Sequence, residues 1–240
     1  MIFSLINKFK KKPNTKKQES MNHIVLGTKL NAPLKEGEEM ILFGCGCFWG
    51  AEKGFWKLPG VVTTAVGYAG GDLEEPTYNQ VCSGRTGHTE VVMVTWNKKL
   101  IDLSDLLKMF WECHDPTQGN RQGNDRGTQY RSAIFTYNQK QLEMALASKE
   151  CYQKLLKNAG YKEITTEIKT IQKFYIAEEY HQQYLARPSS RPYCSAMPTK
   201  IELGEFSGSN YILKESIWDN FDWGITHCVL RSDNEPLRNR

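Results

Sequence analysis

Short apolar runs and amphipathic segments alternate from about Glu38 onward. "MILFGC" (40–45) is a continuous apolar run of strand length, and "FWGAEKGFWKL" (48–58) reads as a helix stopped by Pro59 and Gly60. "VVTTAVGY" (61–68) is a second strand. The Gly-rich connection "AGGDLEEPTYNQVCSGRTG" (69–87) has room for one helical turn. "HTEVVMVTW" (88–96) is apolar on both faces, which places it inside a sheet. "DLSDLLKMFWECH" (102–114) predicts a helix with Leu106, Leu107, Phe110 and Trp111 on one face. The polar stretch "DPTQGNRQGNDRGTQYR" (115–131) reads as a long loop, and loops of that length are usually functional or unstructured. "SAIFTY" (132–137) is a strand. The helix after it is capped by Asn138, with Gln141 completing a capping box and Gly160 ending it. "EITTEIKTI" (163–171) alternates like an edge strand, and "AEEYHQQYL" (177–185) reads as a short helix. Beyond Arg187 the pattern dissolves into Pro, Ser and Gly. Strands alternating with helices, with antiparallel candidates among them, predict an α+β fold: a single-domain α/β sandwich around a mixed sheet, with a coil-rich C-terminal tail.

Composition narrows the class. With 240 residues, 40% of them hydrophobic, the chain can bury one sizeable core and is short for two full domains. Much of the net charge of +4 sits in "KFKKKPNTKK" (8–17), and the near-balance elsewhere points away from nucleic acid. Ile2, Leu5, Ile6 and Phe9 fall at helical spacing, so residues 1–20 read as a basic amphipathic arm. Its apolar part precedes the charges and is too short for a secretory signal. The arm is read as a solvated tail, with membrane-surface contact or organelle targeting as alternatives. No apolar run is long enough to span a membrane. The seven cysteines are odd in number and widely spread, which fits a reducing, cytoplasmic setting better than a secreted disulfide framework.

Chemistry concentrates at Cys47. It falls where a strand ends and a helix begins, and the free N–H groups of a helix N-terminus favour a thiolate, so a lowered pKa is expected. Gly46 and Gly50 let the chain turn and let another group approach. Cys45 is the rival: a turn at Gly46 would leave it in the strand and open only Cys47 to a pocket. A C-x-C pair can also hold a soft metal, but no second close cysteine pair or spaced histidine pair accompanies it, and no metal is expected.

"GCFWG" (46–50) closely resembles the signature of the peptide methionine sulfoxide reductase A family. "GYAGG" (67–71), "PTY" (76–78), "GHTE" (87–90), "HDPTQGNRQGNDRGTQYRS" (114–132) and "YHQQYL" (180–185) follow in order. The match runs from about Leu34 to Cys194, which makes 34–194 the expected catalytic domain and leaves 195–240 as an extension of open role. The resemblance implies a ferredoxin-like core and reduction of methionine-S-sulfoxide, in proteins, peptides or as the free amino acid. It implies no bound cofactor, with a thioredoxin-type dithiol as the external reductant. By the same resemblance Cys47 is the nucleophile and Glu90 the acid. Tyr78, Asp125 and Tyr130 are the polar partners of the sulfoxide oxygen, and Phe48 and Trp49 form the wall around the S-methyl group. The chemistry asks for such a set. Attack of sulfur on a neutral sulfoxide builds charge on its oxygen, which an acid must protonate and O–H donors can stabilise. Glu90 opens an apolar strand, where burial raises a carboxyl pKa.

A sulfenic acid left on Cys47 would need a second thiol. Cys194, in the Pro/Ser-rich "SSRPYCSAMPTK" (189–200), is the candidate, expected to swing over the site; the family's glycines are replaced there. Cys228, in a tail outside the resemblance, is a second candidate. Two rival readings remain: a cysteine hydrolase using Cys47 with His88 or His181, and a metal or redox-sensing module on Cys45 and Cys47.

Overall fold

Alternation inside "MILFGC" sorts the first strand between two cores. In β1 (Glu38–Cys45), Ile41, Phe43 and Cys45 enter the larger core and Leu42 the smaller. The computed structural model describes residues 21–224, 229 and 232–238, so the arm at 1–20 and Cys228 lie outside the described residues. The chain continues through α1 (Phe48–Trp56), β2 (Val61–Ala69), α2 (Tyr78–Cys82), β3 (Thr89–Asn97) and α3 (Leu103–Glu112). It then runs through β4 (Arg121–Gln122), β5 (Asp125–Arg126), β6 (Ser132–Thr136), α4 (Gln139–Asn158), β7 (Glu167–Thr170), β8 (Phe174–Ile176) and the short α5 (Glu215–Trp218).

Six strands form one mixed sheet in the order β7-β6-β1-β3-β2-β8. All its pairings are antiparallel except β6 with β7. Its centre, β6-β1-β3-β2 with α1 and α3 as connections, is a ferredoxin-like βαββαβ unit. Phe43 stacks on Phe55 of α1 and Phe110 of α3, with ring centroids 4.8 and 5.3 Å apart. Burying each such ring contributes about 1.5–3 kcal/mol. The smaller core gathers Leu42, Ala65, Val91, Met93 and Phe135, with Leu30 from the segment that precedes β1. β3 is buried along nearly its whole length, as expected of an interior strand.

Three local readings need correction. Gln141 does not close a capping box. Asn138 accepts from the Gln141 amide, but the Gln141 side chain accepts instead from Tyr137 N–H and donates to Glu39 and the Met40 carbonyl. "AEEYHQQYL" is not one helix but two 3₁₀ turns, Glu179–His181 and Tyr184–Ala186, broken at Gln183 with φ +46°. The break has a cause: the Gln183 amide N–H and side chain both bind the buried carboxyl of Glu52, at 2.8 and 2.7 Å. The polar stretch 115–131 is not structureless, since it carries the β4–β5 hairpin and a 3₁₀ turn, Thr128–Tyr130.

The described parts of the C-terminal extension pack as part of the domain. Leu203, Leu213, Ile217, Trp218 and Phe221 join the larger core, and α3 is buried on every side as a result. Asp105 accepts from the amides of Ile212 and Leu213, Glu112 from that of Leu203, and Lys108 pairs with Glu112 at 2.7 Å beneath Trp218. No helix among the described residues is long and apolar enough to cross a membrane.

Candidate active site

Gly46 turns the chain out of β1 at φ +87°, a conformation that favours glycine, and Cys47 becomes the N-cap residue of α1. Cys45 stays buried at the strand end, while Cys47 is half-buried and reaches an open pocket. That pocket holds about 820 Å³ of empty space and brings together Cys47, Phe48, Trp49, Tyr78, Glu90, Asp125 and Tyr130.

Glu90 lies near the start of β3 and is only 2% exposed. Its carboxyl accepts from the Phe48 amide at 3.1 Å, in the first turn of α1. Burial pushes its pKa up to about 8, against the pull of that amide, so it stays largely protonated at neutral pH. The lowered thiol pKa expected at Cys47 is not what the surroundings produce. Desolvation and the adjacent Glu90 carboxyl hold the thiol well above its usual range, and the Trp49 amide offsets this only in part. A helix N-terminus favours a thiolate only as far as solvent and neighbouring charge permit.

Tyr78 opens α2, its amide bound to Glu178 at 3.0 Å, and Tyr130 ends the 3₁₀ turn after β5. Burial pushes both phenols above their usual range, so both stay as O–H donors. Asp125 does not reach toward the thiol as a free carboxylate: Tyr193 donates to it at 2.6 Å and the Ser195 hydroxyl donates to its other oxygen. Phe48 is core as well as wall, packed between Tyr68 and His181. Trp49 is half-buried, stacked on Tyr184 at 3.8 Å and donating to His181 Nδ1 at 3.3 Å.

Tyr184, Arg191 and Tyr193 also line the pocket and were not anticipated. The first lies in the quoted "YHQQYL" and the others beside Cys194, so their sequence neighbourhood was visible although their direction was not. Cys194 itself is not in a loose strap. It is buried at 8% exposure among core residues, where described parts of the extension pack against α1 and α3. His88 is buried against Tyr175 and does not line the pocket, and the Nδ1 atom of His181 is engaged by Trp49. The thiol–imidazole pair of a cysteine hydrolase is therefore not assembled among the described residues.

A thiol beside a protonated carboxyl suits a different chemistry, in which sulfur attacks a small neutral group while the acid gives it a proton. The class is a thiol-based oxidoreductase on a ferredoxin-like sheet. The family model for peptide methionine sulfoxide reductase matches residues 39–208. A "Peptide methionine sulfoxide reductase MsrA 1" from Synechocystis sp. is 56% identical over 179 residues, 75% of this chain and 80% of that protein. An MsrA from Salinispora arenicola is 57% identical over 181 residues, 75% of this chain and 82% of the relative. Among solved structures, methionine sulfoxide reductase A of Corynebacterium diphtheriae superposes with a TM-score of 0.68 at 44% identity, covering 76% of this chain and 89% of that one. The chain belongs to the peptide methionine sulfoxide reductase family.

Proposed function

We propose that this protein reduces methionine-S-sulfoxide to methionine, with Cys47 as nucleophile and Glu90 as proton donor. The observation that carries the reading is Glu90 itself: a carboxyl held protonated to about pH 8, bound to the first turn of the helix that Cys47 caps, in the same pocket as the thiol. The aromatic wall of Phe48 and Trp49 receives the S-methyl group, for which ring faces are good partners. Cys47 sulfur attacks the sulfoxide sulfur as Glu90 protonates the oxygen, and Tyr78 and Tyr130 donate to the same oxygen. The hydroxyl so formed passes to Cys47, the bond between the two sulfurs breaks, methionine leaves, and the proton released by the thiol restores the Glu90 carboxyl. Cys47 remains as a sulfenic acid, which condenses with the Cys194 thiol to a disulfide and water. A thioredoxin-type dithiol then restores both thiols by exchange. Thiols carry all the electrons, so the reading needs no bound cofactor. A dithiol partner of that kind favours the cytoplasm or a similarly reducing compartment. Protein-bound, peptide and free methionine sulfoxide all present the group that the pocket fits. Cys228, the other candidate for resolution, lies outside the described residues.

The test is a reduction assay on a methionine sulfoxide peptide supplied as separated S and R epimers, with dithiothreitol. Wild type removes about 16 mass units, one oxygen, from the S epimer, and Cys47→Ser removes none. Equal turnover by Cys47→Ser, or a product from the R epimer alone, would overturn the assignment.

A further inference from the structure

Against α1, and sharing no lining residue with the open pocket, a narrow cavity is lined by Cys45, Cys113 and Cys194 together with Gly50, Ala51 and Gly54. Each cysteine arrives on a different element. Cys45 ends β1, Cys113 caps the C-terminus of α3, and Cys194 comes from the segment after the 3₁₀ turn Tyr184–Ala186. All three are buried, and each is a free thiol.

Cys194 reaches the first turns of α1: a Cβ added to Gly50, three residues beyond Cys47, would stand 2.7 Å from Cys194 Sγ. Cys45 is joined to Cys47 through the turn residue Gly46. The sulfurs of Cys45 and Cys113 lie within 4.8 Å of each other. Cys113 and Cys194 line the same cavity.

His114 completes a group that resembles a metal site, but its chemistry argues otherwise. Its Nδ1, 3.9 Å from Cys113 Sγ, donates to the Phe110 carbonyl at 2.7 Å, and its Nε2 lies 2.8 Å from Ser132 Oγ, so the nitrogen that faces the sulfurs carries a proton instead of a lone pair. What is left is a dithiol, shielded from water, one exchange step from the resolving cysteine.

We propose that Cys113 and Cys45 form an internal dithiol reserve, which accepts the disulfide from Cys194 and frees Cys47 for a second turnover before any external reductant arrives. The proposal rests on the reading of Cys47 as nucleophile and Cys194 as its resolving partner. In the first exchange Cys113 sulfur attacks Cys194 sulfur. The Cys47–Cys194 bond breaks, the Cys113–Cys194 bond forms, and Cys47 takes up the proton that Cys113 gives up. In the second, Cys45 attacks Cys113, the Cys45–Cys113 disulfide forms, and Cys194 returns as a thiol. The sum is one methionine sulfoxide and two thiols giving methionine, water and a buried disulfide. Cys47 and Cys194 are then both reduced and take a second sulfoxide. A dithiol that later reduces the Cys47–Cys194 bond at the open pocket drains the reserve by the same steps in reverse.

The experiment counts methionine formed per chain in the absence of reductant. Full-length enzyme is reduced, freed of dithiothreitol, and mixed with excess methionine-S-sulfoxide peptide. Wild type yields two methionines per chain and Cys113→Ala yields one. After the reaction, alkylation and peptide mapping of wild type finds Cys45 joined to Cys113 and Cys47 joined to Cys194. The map is read on wild type, so it stands even where Cys113→Ala folds poorly. A wild-type yield of one, an equal yield from Cys113→Ala, or a second disulfide made through Cys228 instead would overturn the proposal. So would one zinc per chain by native mass measurement that is lost in Cys113→Ala. A failure beneath it shows separately: no methionine from wild type, or an undiminished yield from Cys47→Ser, removes the assignment of the nucleophile as well.

Discussion

Replacing Glu90 by glutamine removes one acidic proton and changes little else in shape. The amide that Glu90→Gln introduces keeps an oxygen that can accept from the Phe48 N–H, as the carboxyl does at 3.1 Å. A pKa of about 8 leaves roughly nine-tenths of the wild-type carboxyl protonated at pH 7. Losing a positioned general acid costs about a hundredfold to ten-thousandfold, or about 3–5 kcal/mol of transition-state stabilisation at ~1.4 kcal/mol per tenfold. Stability should move the other way. With a pKa raised from 4.5 to about 8, the native state keeps a proton that the unfolded chain gives up. Stability therefore falls as pH rises from 4.5 toward 8 and levels off above that. By pH 7 the accumulated cost is on the order of 3 kcal/mol. The glutamine variant avoids that cost, although its amide donor needs a partner in the pocket, so the expected net gain at pH 7 is about 1–2 kcal/mol. Steady-state kinetics on the S-sulfoxide peptide from pH 6 to 9 and urea unfolding at pH 4.5 and 7 read both quantities. Wild-type kcat/KM should fall above about pH 8 as the acid is lost, and the variant should lack that limb. Retention of more than a tenth of wild-type kcat/KM at pH 7, or an unchanged alkaline limb in the variant, would refute the argument that Glu90 supplies the proton.

Four further outcomes follow from the geometry. Cys47→Ser should show no turnover and no sulfenic acid trapped by dimedone after exposure to substrate. Tyr78→Phe and Tyr130→Phe should each lower kcat/KM by about tenfold to a hundredfold, the cost of one donor that a second donor partly covers. Unchanged kinetics in both would remove the phenols from the site. Gly50→Ala should lower unfolding free energy by about 1–3 kcal/mol, because its Cβ would meet Cys194 Sγ at 2.7 Å. Adding Cys194→Ala should recover most of that loss, and a cycle without recovery would show that Cys194 is not the obstacle. Trp218→Ala should cost about 3–5 kcal/mol, since Trp218 is buried over the Lys108–Glu112 pair. A near-neutral result by urea unfolding would mean that the extension is peripheral.

The parts of the fold that one short segment decides were readable in the chain. Continuous apolar runs marked β1 and β3, Asn138 and Gly160 bounded α4, and Gly46 announced the turn that separates Cys45 from Cys47. The parts that depend on distant partners were not. Nothing in "YHQQYL" shows that Glu52 will hold Gln183 in a left-handed turn, since that carboxyl comes from another helix 131 residues away in sequence. The extension looked like loose coil because its apolar residues are sparse and aperiodic. Leu203, Leu213, Ile217 and Trp218 are buried one at a time against α3, and such burial leaves no repeat to detect. The same contacts explain why Cys194, read as a mobile strap, is held in the core. The thiol pKa failed for a related reason: a cap position is local, but the desolvation and the carboxyl that oppose it are supplied by the tertiary fold.

The pairing of thiol and acid follows from strand order rather than from either motif. "GCFWG" and "GHTE" lie on segments joined by a long excursion through α1, β2 and α2. In the sheet β3 is the direct antiparallel neighbour of β1, with Phe43 opposite Val92. Two residues further along each strand, the same register sets the end of β1 against Glu90, and Gly44 already lies against the Glu90 carbonyl, 3.2 Å from where its Cβ would stand. The first residues past the end of β1 are the turn at Gly46 and the cap at Cys47, so the thiol emerges above the carboxyl that enters β3. The split βαβ crossover that inserts β3 between β1 and β2 is what makes this meeting possible. Were β2 the neighbour of β1, Tyr68 and its partner Glu178 would stand nearer the cap, and that carboxyl is already bound by the Tyr68 hydroxyl and the Tyr78 amide. Glu90 has one amide and an apolar setting, which is why it keeps its proton.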